Sequence, residues 1–448
     1  MLKRILYRNY RLSSSVRDRF KRRLTAPGFV LLAATLVCGA LGSDTNAAMA
    51  FHGFALGASL FLVAWFWMWL PNPVISVRRT LPRFGTAGQP LEYRVTLSTP
   101  SSRILRGLAA FELLADPRPS LEEFLEGREP GELKRNAFDR AFGFYRWLWL
   151  ISQKQIAVAS EFLIPPFVKG QPVEVRMNLI PSKRGRLALE GLAVACPDPF
   201  GLLRRVVRTP LAESVLILPK RYPLPNLDLP GRRQYQQGGV TLASTVGESE
   251  EFASLRDYRA GDSPRRIHWK SLAKTGRLIV KEFQDEFFVR HALILDTFLS
   301  RDNSELFEEA VSVAASFACA IPTQDSLLDL MFVGPKAFCF TTGRGLAQTG
   351  QMLEILAAVR PCTEKPFHSL RTLVQSHITA VSGCVCVLLG WDDARQDLVR
   401  QLQVFNVPIL VVVLVSRGET IAENPLAPQV EAFHVIELGA VGEGLARL

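Results

Sequence analysis

Seven cysteines are scattered over 448 residues, and no pair stands at the spacing of a zinc knuckle or a redox loop. A disulfide scaffold is therefore excluded, and reduced thiols fit a cytosolic setting. The short motifs of nucleotide and hydrolytic chemistry are missing too. There is no G-x-x-x-x-G-K-[ST], no strand followed by G-x-G-x-x-G, no H-E-x-x-H and no G-x-S-x-G. No enzyme is expected. Gly and Pro, 31 and 28 residues, are near average, which excludes a fibrous or largely disordered chain, and the length fits two or three domains.

Charge of one sign is also scarce once the first residues are set aside. Residues 1–26 hold nine basic groups and one acid, Asp18, which leaves 44 basic against 41 acidic residues in the remainder. A nucleic-acid-binding protein carries its basic excess on a folded domain, so nucleic acid is not an expected partner.

The excess instead precedes two uncharged runs, 27–43 and 47–70, separated by little more than Ser-Asp-Thr-Asn. The second is long enough to span a bilayer and the first is at the short end, so 27–70 reads as a two-helix membrane hairpin. Ala47-Ala48-Met49-Ala50 resembles a signal-peptide cleavage site, but the long run that follows at once would act as stop-transfer. Trp65, Trp67 and Trp69 crowd its end, where indoles favour the headgroup zone. Cations before the hairpin, with Arg78, Arg79 and Arg83 after it and none in its loop, put both ends in the cytoplasm. The expected location is a bacterial inner membrane, crossed twice, with the soluble domains cytoplasmic. In the arm, Val16, Phe20 and Leu24 are spaced for a helix on anionic lipid, or the arm is a solvated topology signal.

From 73 to about 220 the apolar period is two. Leu91, Tyr93, Val95 and Leu97 alternate with polar residues, as do Val173, Val175, Met177 and Leu179, and with strands at 74–79, 187–195 and 214–218 this predicts a β-sandwich. An insertion at about 115–165 breaks the pattern. Its run 138–151 places Phe138, Phe142, Tyr145 and Trp149 at helical spacing, either dipping into the membrane interface or packed on the sandwich or the hairpin.

Residues 221–290 form a linker and the most distinctive stretch of the chain, GESEEFASLRDYRAGDSPRRIHWKSLAKTGRLIVKEF. Pro264 is expected to open a short helix that Gly276 ends, with a strand from Leu278. The spacing of Arg256, Asp257, Tyr258, Gly261, Asp262, Arg266, Ile267, His268, Trp269, Lys274, Thr275, Gly276 and Leu278 resembles the signature of the family catalogued as domain of unknown function 58. Arg184-Gly185-Arg186 and Asp198-Pro199-Phe200-Gly201-Leu202 resemble that family's usual ending of the β-domain. Arg265, Arg266, Lys270 and Lys274 beside Glu248, Glu250, Glu251 and Asp257 either bind a phosphate or a partner's acidic loop, or brace the domain junction. Trp269 in so charged a run is expected where the helix meets a core.

Residues 291–448 alternate strands and helices, with strands at 292–296, 327–333, 337–341, 384–389, 409–415 and about 433–438. A mostly parallel sheet with one antiparallel edge is expected. The order resembles a von Willebrand factor type A domain, a Rossmann-like α/β fold. That resemblance implies a cation site at Asp296, Ser300, Thr363 and Asp392 or Asp393, but Phe298 replaces a ligand serine. A vestigial pocket without Mg²⁺ is expected, since an octahedral ion needs most of its oxygens. Cys384 and Cys386 share a strand face and read as core.

The expected whole is multidomain: a membrane hairpin, a β-sandwich with a helical insertion, and a C-terminal α/β domain. The family resemblance implies an adaptor or scaffold in the lipid bilayer, working with a MoxR-type AAA+ ATPase and a transglutaminase-like membrane protein in complex assembly or envelope maintenance. The alternative is a hydrolase acting on envelope or protein substrates through His268, Asp296 and the basic cluster.

Overall fold

A computed structural model describes residues 2–42, 48–71, 73–100, 106–129, 131–167, 171–225, 252–259, 262, 264, 267–283, 289–299, 304–321, 326–343, 346–419 and 432–448. Two compact units result: Met1–Lys220 with Arg301–Asn303 and Leu353–Val359, and Arg221–Ser300 with Ser304–Met352 and Arg360–Leu448.

The first unit begins with three helices, α1 (Leu2–Arg23), α2 (Ala26–Leu41) and α3 (Ala48–Trp67). Met49–Trp67 is long and apolar enough to cross a membrane, whereas α2 is a shorter apolar helix. α2 and α3 pack side by side through small residues: a Cβ on Gly57 would collide with Thr35, and one on Gly39 with Phe54. Close approach of this kind is how apolar helices associate without a hydrophobic drive between them.

There follow β1 (Ser76–Thr80), β2 (Phe84–Thr86), β3 (Leu91–Ser98), β4 (Ala109–Leu114), α4 (Leu121–Glu126), α5 (Ala137–Phe142), α6 (Phe144–Lys154), β5 (Glu161–Leu163), β6 (Val173–Leu179), β7 (Gly185–Pro197) and β8 (Arg204–Leu218). Strand orders β1-β3-β6 and β2-β8-β7-β4-β5 make two sheets around one core, in which Tyr93, Val95 and Met177 of one sheet meet Leu192, Val194 and Ile217 of the other. This is the arrangement of a β-sandwich. The two sheets are also pinned by buried charge. Arg79 on β1 reaches Glu112 on β4 at 2.7 Å and Glu213 on β8 at 2.8 Å, and the Tyr93 hydroxyl donates to Glu112 at 3.0 Å. Burial pushes the Glu112 carboxyl and the Tyr93 phenol upward.

The insertion packs on α1. Phe124 and Trp147 bury against Tyr7, with ring centroids 5.9 and 5.7 Å away, and Tyr10 sits 5.7 Å from Phe144. The expected single aromatic helix is broken at Gly143, whose φ of 64° suits glycine and separates α5 from α6.

The second unit comprises β9 (Phe252–Asp257), α7 (Trp269–Thr275), β10 (Ile279–Phe283), β11 (Val289–Leu295), α8 (Ser304–Ala320), β12 (Ser326–Val333), β13 (Ala337–Gly343), α9 (Leu346–Ala358) as far as Met352, α10 (His368–His377), β14 (Gly383–Leu389), α11 (Asp393–Val404), β15 (Ile409–Val415), β16 (Ala432–Glu437) and α12 (Val441–Leu445). Its sheet runs β13-β12-β11-β14-β15-β16, parallel except for β13 at the edge. The central strands read ILVVVLV and GCVCVLL because both faces are covered, as buried parallel strands require. One face packs on α10 and α11. Cys384 and Cys386 are buried in it, their sulfurs 3.6 Å apart. β9 and β10 form a separate antiparallel ribbon.

Candidate functional site

Two places hold the residues singled out from the sequence. The first lies at the carboxyl ends of β11 and β14, where open α/β sheets bind ligands. Asp296 follows β11 directly and is fully buried. Its carboxylate accepts from the amides of Phe298 at 2.9 Å and Leu389 at 3.0 Å, and from the Arg395 Nε at 2.7 Å. Asp392 caps α11, accepting from the Arg395 amide at 3.0 Å and from its Nη1 at 2.5 Å. Arg395 Nη2 donates to the Phe298 carbonyl at 2.9 Å, and the guanidinium lies 5.1 Å from the Phe367 ring centroid.

The residues do not fit a divalent cation, because a guanidinium already holds the carboxylates that would bind one. Burial pushes the Asp296 carboxyl upward, while Arg395 and the two amides pull it back. The Phe298 ring packs 5.4 Å from Phe367, and the Thr297 hydroxyl is spent on the Val333 carbonyl at 2.5 Å. Thr363 is exposed beyond Cys362, and Ser300 lies outside the described residues. Asp296 and Asp392 are thus brought together, but by an arginine that sequence reasoning missed. One signal was present: a cation in the first turn of a helix, where acids are favoured, implies a nearby carboxylate.

The second place is the signature segment. Arg256 on β9 binds Asp262 with both Nη atoms, at 2.7 and 2.8 Å, and the Arg259 amide adds a third bond at 2.8 Å. The Arg256 guanidinium and that amide hold the Asp262 carboxyl down at about 2. This part of the cluster is an internal brace. α7 is stitched to the ribbon by His268 N–H to the Ile279 carbonyl at 2.8 Å, and Tyr258 N–H reaches the Leu278 carbonyl at 3.0 Å. It starts at Trp269 rather than at Pro264. Gly276, at φ 67°, closes it by donating to Leu272.

Trp269 departs from expectation. It is 62 % exposed, and the buried apolar residues of this segment, among those described, are Ile267 and Val280. A seven-residue helix over a two-stranded ribbon has room for only a small core, which takes in those two side chains and leaves the indole outside. Tyr258, Leu255 and Leu278 are exposed as well. So are Asp257, Lys270 and Lys274, and neither lysine has an ion-pair partner among the described residues. Gly261, Arg265, Arg266, Glu248, Glu250 and Glu251 lie outside the described residues. His268 Nδ1 sits 2.6 Å from the Ser271 hydroxyl, and no carboxylate orients that ring among the described residues.

A third contact joins the family-like ending of the β-domain to the apolar helices. Asp198 accepts from the Leu202 and Leu203 amides at 3.1 and 2.8 Å, shaping the β7–β8 turn. Thr25, the N-cap of α2, donates to the Gly201 and Leu202 carbonyls at 2.5 and 3.0 Å. Arg205, just past the same turn, donates to the carbonyl of Leu70 beyond α3 at 2.7 Å.

Residues 254–413 match the family described as "Protein of unknown function DUF58", which takes in the brace, the exposed Trp269 and both carboxylates on Arg395. The chain is 25 % identical over 205 residues to the "Uncharacterized protein YeaD" of Bacillus subtilis (strain 168), covering 45 % of this chain and 49 % of that protein. It thus spans about half the length of that curated relative. Among solved structures, a cohesin module from a Clostridium perfringens family 33 glycoside hydrolase aligns at 10 % identity over 33 % of this chain and 98 % of that one. Its TM-score of 0.15 carries no argument. By the stretch that bears the signature, this chain is similar to the DUF58 proteins.

Proposed function

We propose that the chain is a membrane-anchored adaptor on the cytoplasmic side of a bacterial inner membrane, which presents the signature segment to a protein partner. The carrying observation is the division of labour within that segment. Arg256 and Asp262 are spent on holding it together, while Trp269, Tyr258, Lys270 and Lys274 face solvent. An exposed tryptophan in a segment that also exposes apolar and basic side chains has the composition of a binding hot spot.

Two further observations support the reading. The start of α2 and the end of α3 are tied to the same β7–β8 turn, as a membrane hairpin entering and leaving on one side would require. The six-stranded sheet, parallel but for its antiparallel edge, supports the reading of this unit as similar to a von Willebrand factor type A domain, a fold used for protein recognition. With Arg395 as its cation, such a domain would work without Mg²⁺. The family resemblance points to a MoxR-type AAA+ ATPase as the partner and to a transglutaminase-like membrane protein as a neighbour. Purified full chain in detergent, mixed with a MoxR-type ATPase from the same organism, tests the proposal. A stable complex is expected; turnover of an envelope substrate by the chain alone, with no complex, would favour the hydrolase reading.

A further inference from the structure

α1 has two unlike faces. Leu6 and Tyr7 are buried, Tyr7 and Tyr10 meet the aromatic insertion, and Asp18, the one acid of the helix, pairs with Arg118 at 2.5 Å. The face away from these contacts carries Ile5, Leu12, Val16 and Phe20, all at least half exposed. Spaced seven, four and four residues apart, they form one stripe along the helix. At 100° per residue, Arg8 and Arg19 fall along one side of that stripe, Arg17 along the other and Arg23 on its line at the end of the helix, and all four are exposed.

We infer that this face of α1 is a docking surface for an anionic lipid bilayer. The inference rests on the reading of α2 and α3 as membrane-spanning and deepens it by naming what the arm touches. Charge complementarity commits the occupant: the charges beside the apolar stripe are all cations, since Asp18 is turned to the other side and neutralised. Position agrees. Phe20 precedes the first residue of α2 by only six positions, so one end of the stripe lies next to the helix entry in the chain. The opposite face is fixed on Phe124 and Trp147, which holds the stripe outward rather than leaving it free to turn inward. Each cation near an anionic surface adds attraction that fades within a Debye length, so binding should depend on lipid charge and on salt.

The test uses the full chain in nanodiscs with a bimane label at Val16→Cys, after the accessible Cys38, Cys319 and Cys339 are changed to serine. Bromine-substituted lipids report contact by quenching. A second label at Leu62→Cys on α3 reports insertion independently, and one at Arg11→Cys reports the docked side of α1. With phosphatidylglycerol discs, quenching at position 16 should be about twofold or more stronger than with phosphatidylcholine, should fall with added salt, and should stay weak at position 11. Quenching at 62 with none at 16 would overturn this inference and leave the membrane reading standing. Equal quenching at 16 in both lipids would overturn the charge recognition. No quenching at 62 would overturn the membrane reading and this inference with it.

Discussion

Arg395 does at one residue what a bound cation would do with several ligands. It neutralises a fully buried carboxylate and ties the end of β11 to the first turn of α11. Removing it leaves the buried Asp296 carboxylate with its two amide donors but no counter-ion, so Arg395→Ala should cost the full chain ~3–5 kcal/mol in denaturant unfolding. Added Mg²⁺ should raise the wild-type Tm little, because only a ligand that binds the native state stabilises it. A large Mg²⁺ shift abolished by Asp296→Ala would show that other oxygens complete a site. Asp262 supplies a pH dependence. Arg256 lowers its folded pKa from 3.8 to about 2, so its stabilising contribution is present above 3.8 and is lost as pH falls through about 2. Carboxyl NMR titration of Asp262 should find that low midpoint, and Arg256→Gln should raise it.

At the scale of elements, the β7–β8 turn meets the start of α2 in an exacting fit. A Cβ on Gly28 would lie 2.1 Å from the Leu202 carbonyl oxygen, so Gly28→Ala must push the start of α2 off the turn. Overpacking of this kind costs ~1–3 kcal/mol, which thermal unfolding of the detergent-solubilised chain should detect. Strands with alternating faces were legible in the sequence. β4 was not, because Ala109–Leu114 is central in its sheet and Phe111 and Glu112 are both buried, which removes the alternation. The break at Gly143 was hidden by continuous aromatic spacing on either side. At the signature, motif spacing found the right segment but misjudged Trp269, since spacing cannot tell how small the core beneath a helix is. Arg395 was hidden for a related reason: its carboxylate lies 99 positions away in sequence.

For the whole molecule, nine cations before the proposed membrane hairpin and none between its two apolar runs predict that reporters placed before Met1 and after Leu448 are both cytoplasmic. Protease added to intact spheroplasts should leave the C-terminal unit uncut; its digestion would invert the topology. The central claim, that the exposed signature surface recruits a cytoplasmic protein, is tested most directly by one affinity comparison. Full chain in nanodiscs, wild type and Trp269→Ala, is titrated with the purified MoxR-type ATPase, with the Tm of each form measured alongside. Loss of a hot-spot aromatic worth ~2 kcal/mol or more weakens binding roughly 30-fold, so the prediction is that loss with an unchanged Tm. Wild-type affinity in the Trp269→Ala chain would contradict it.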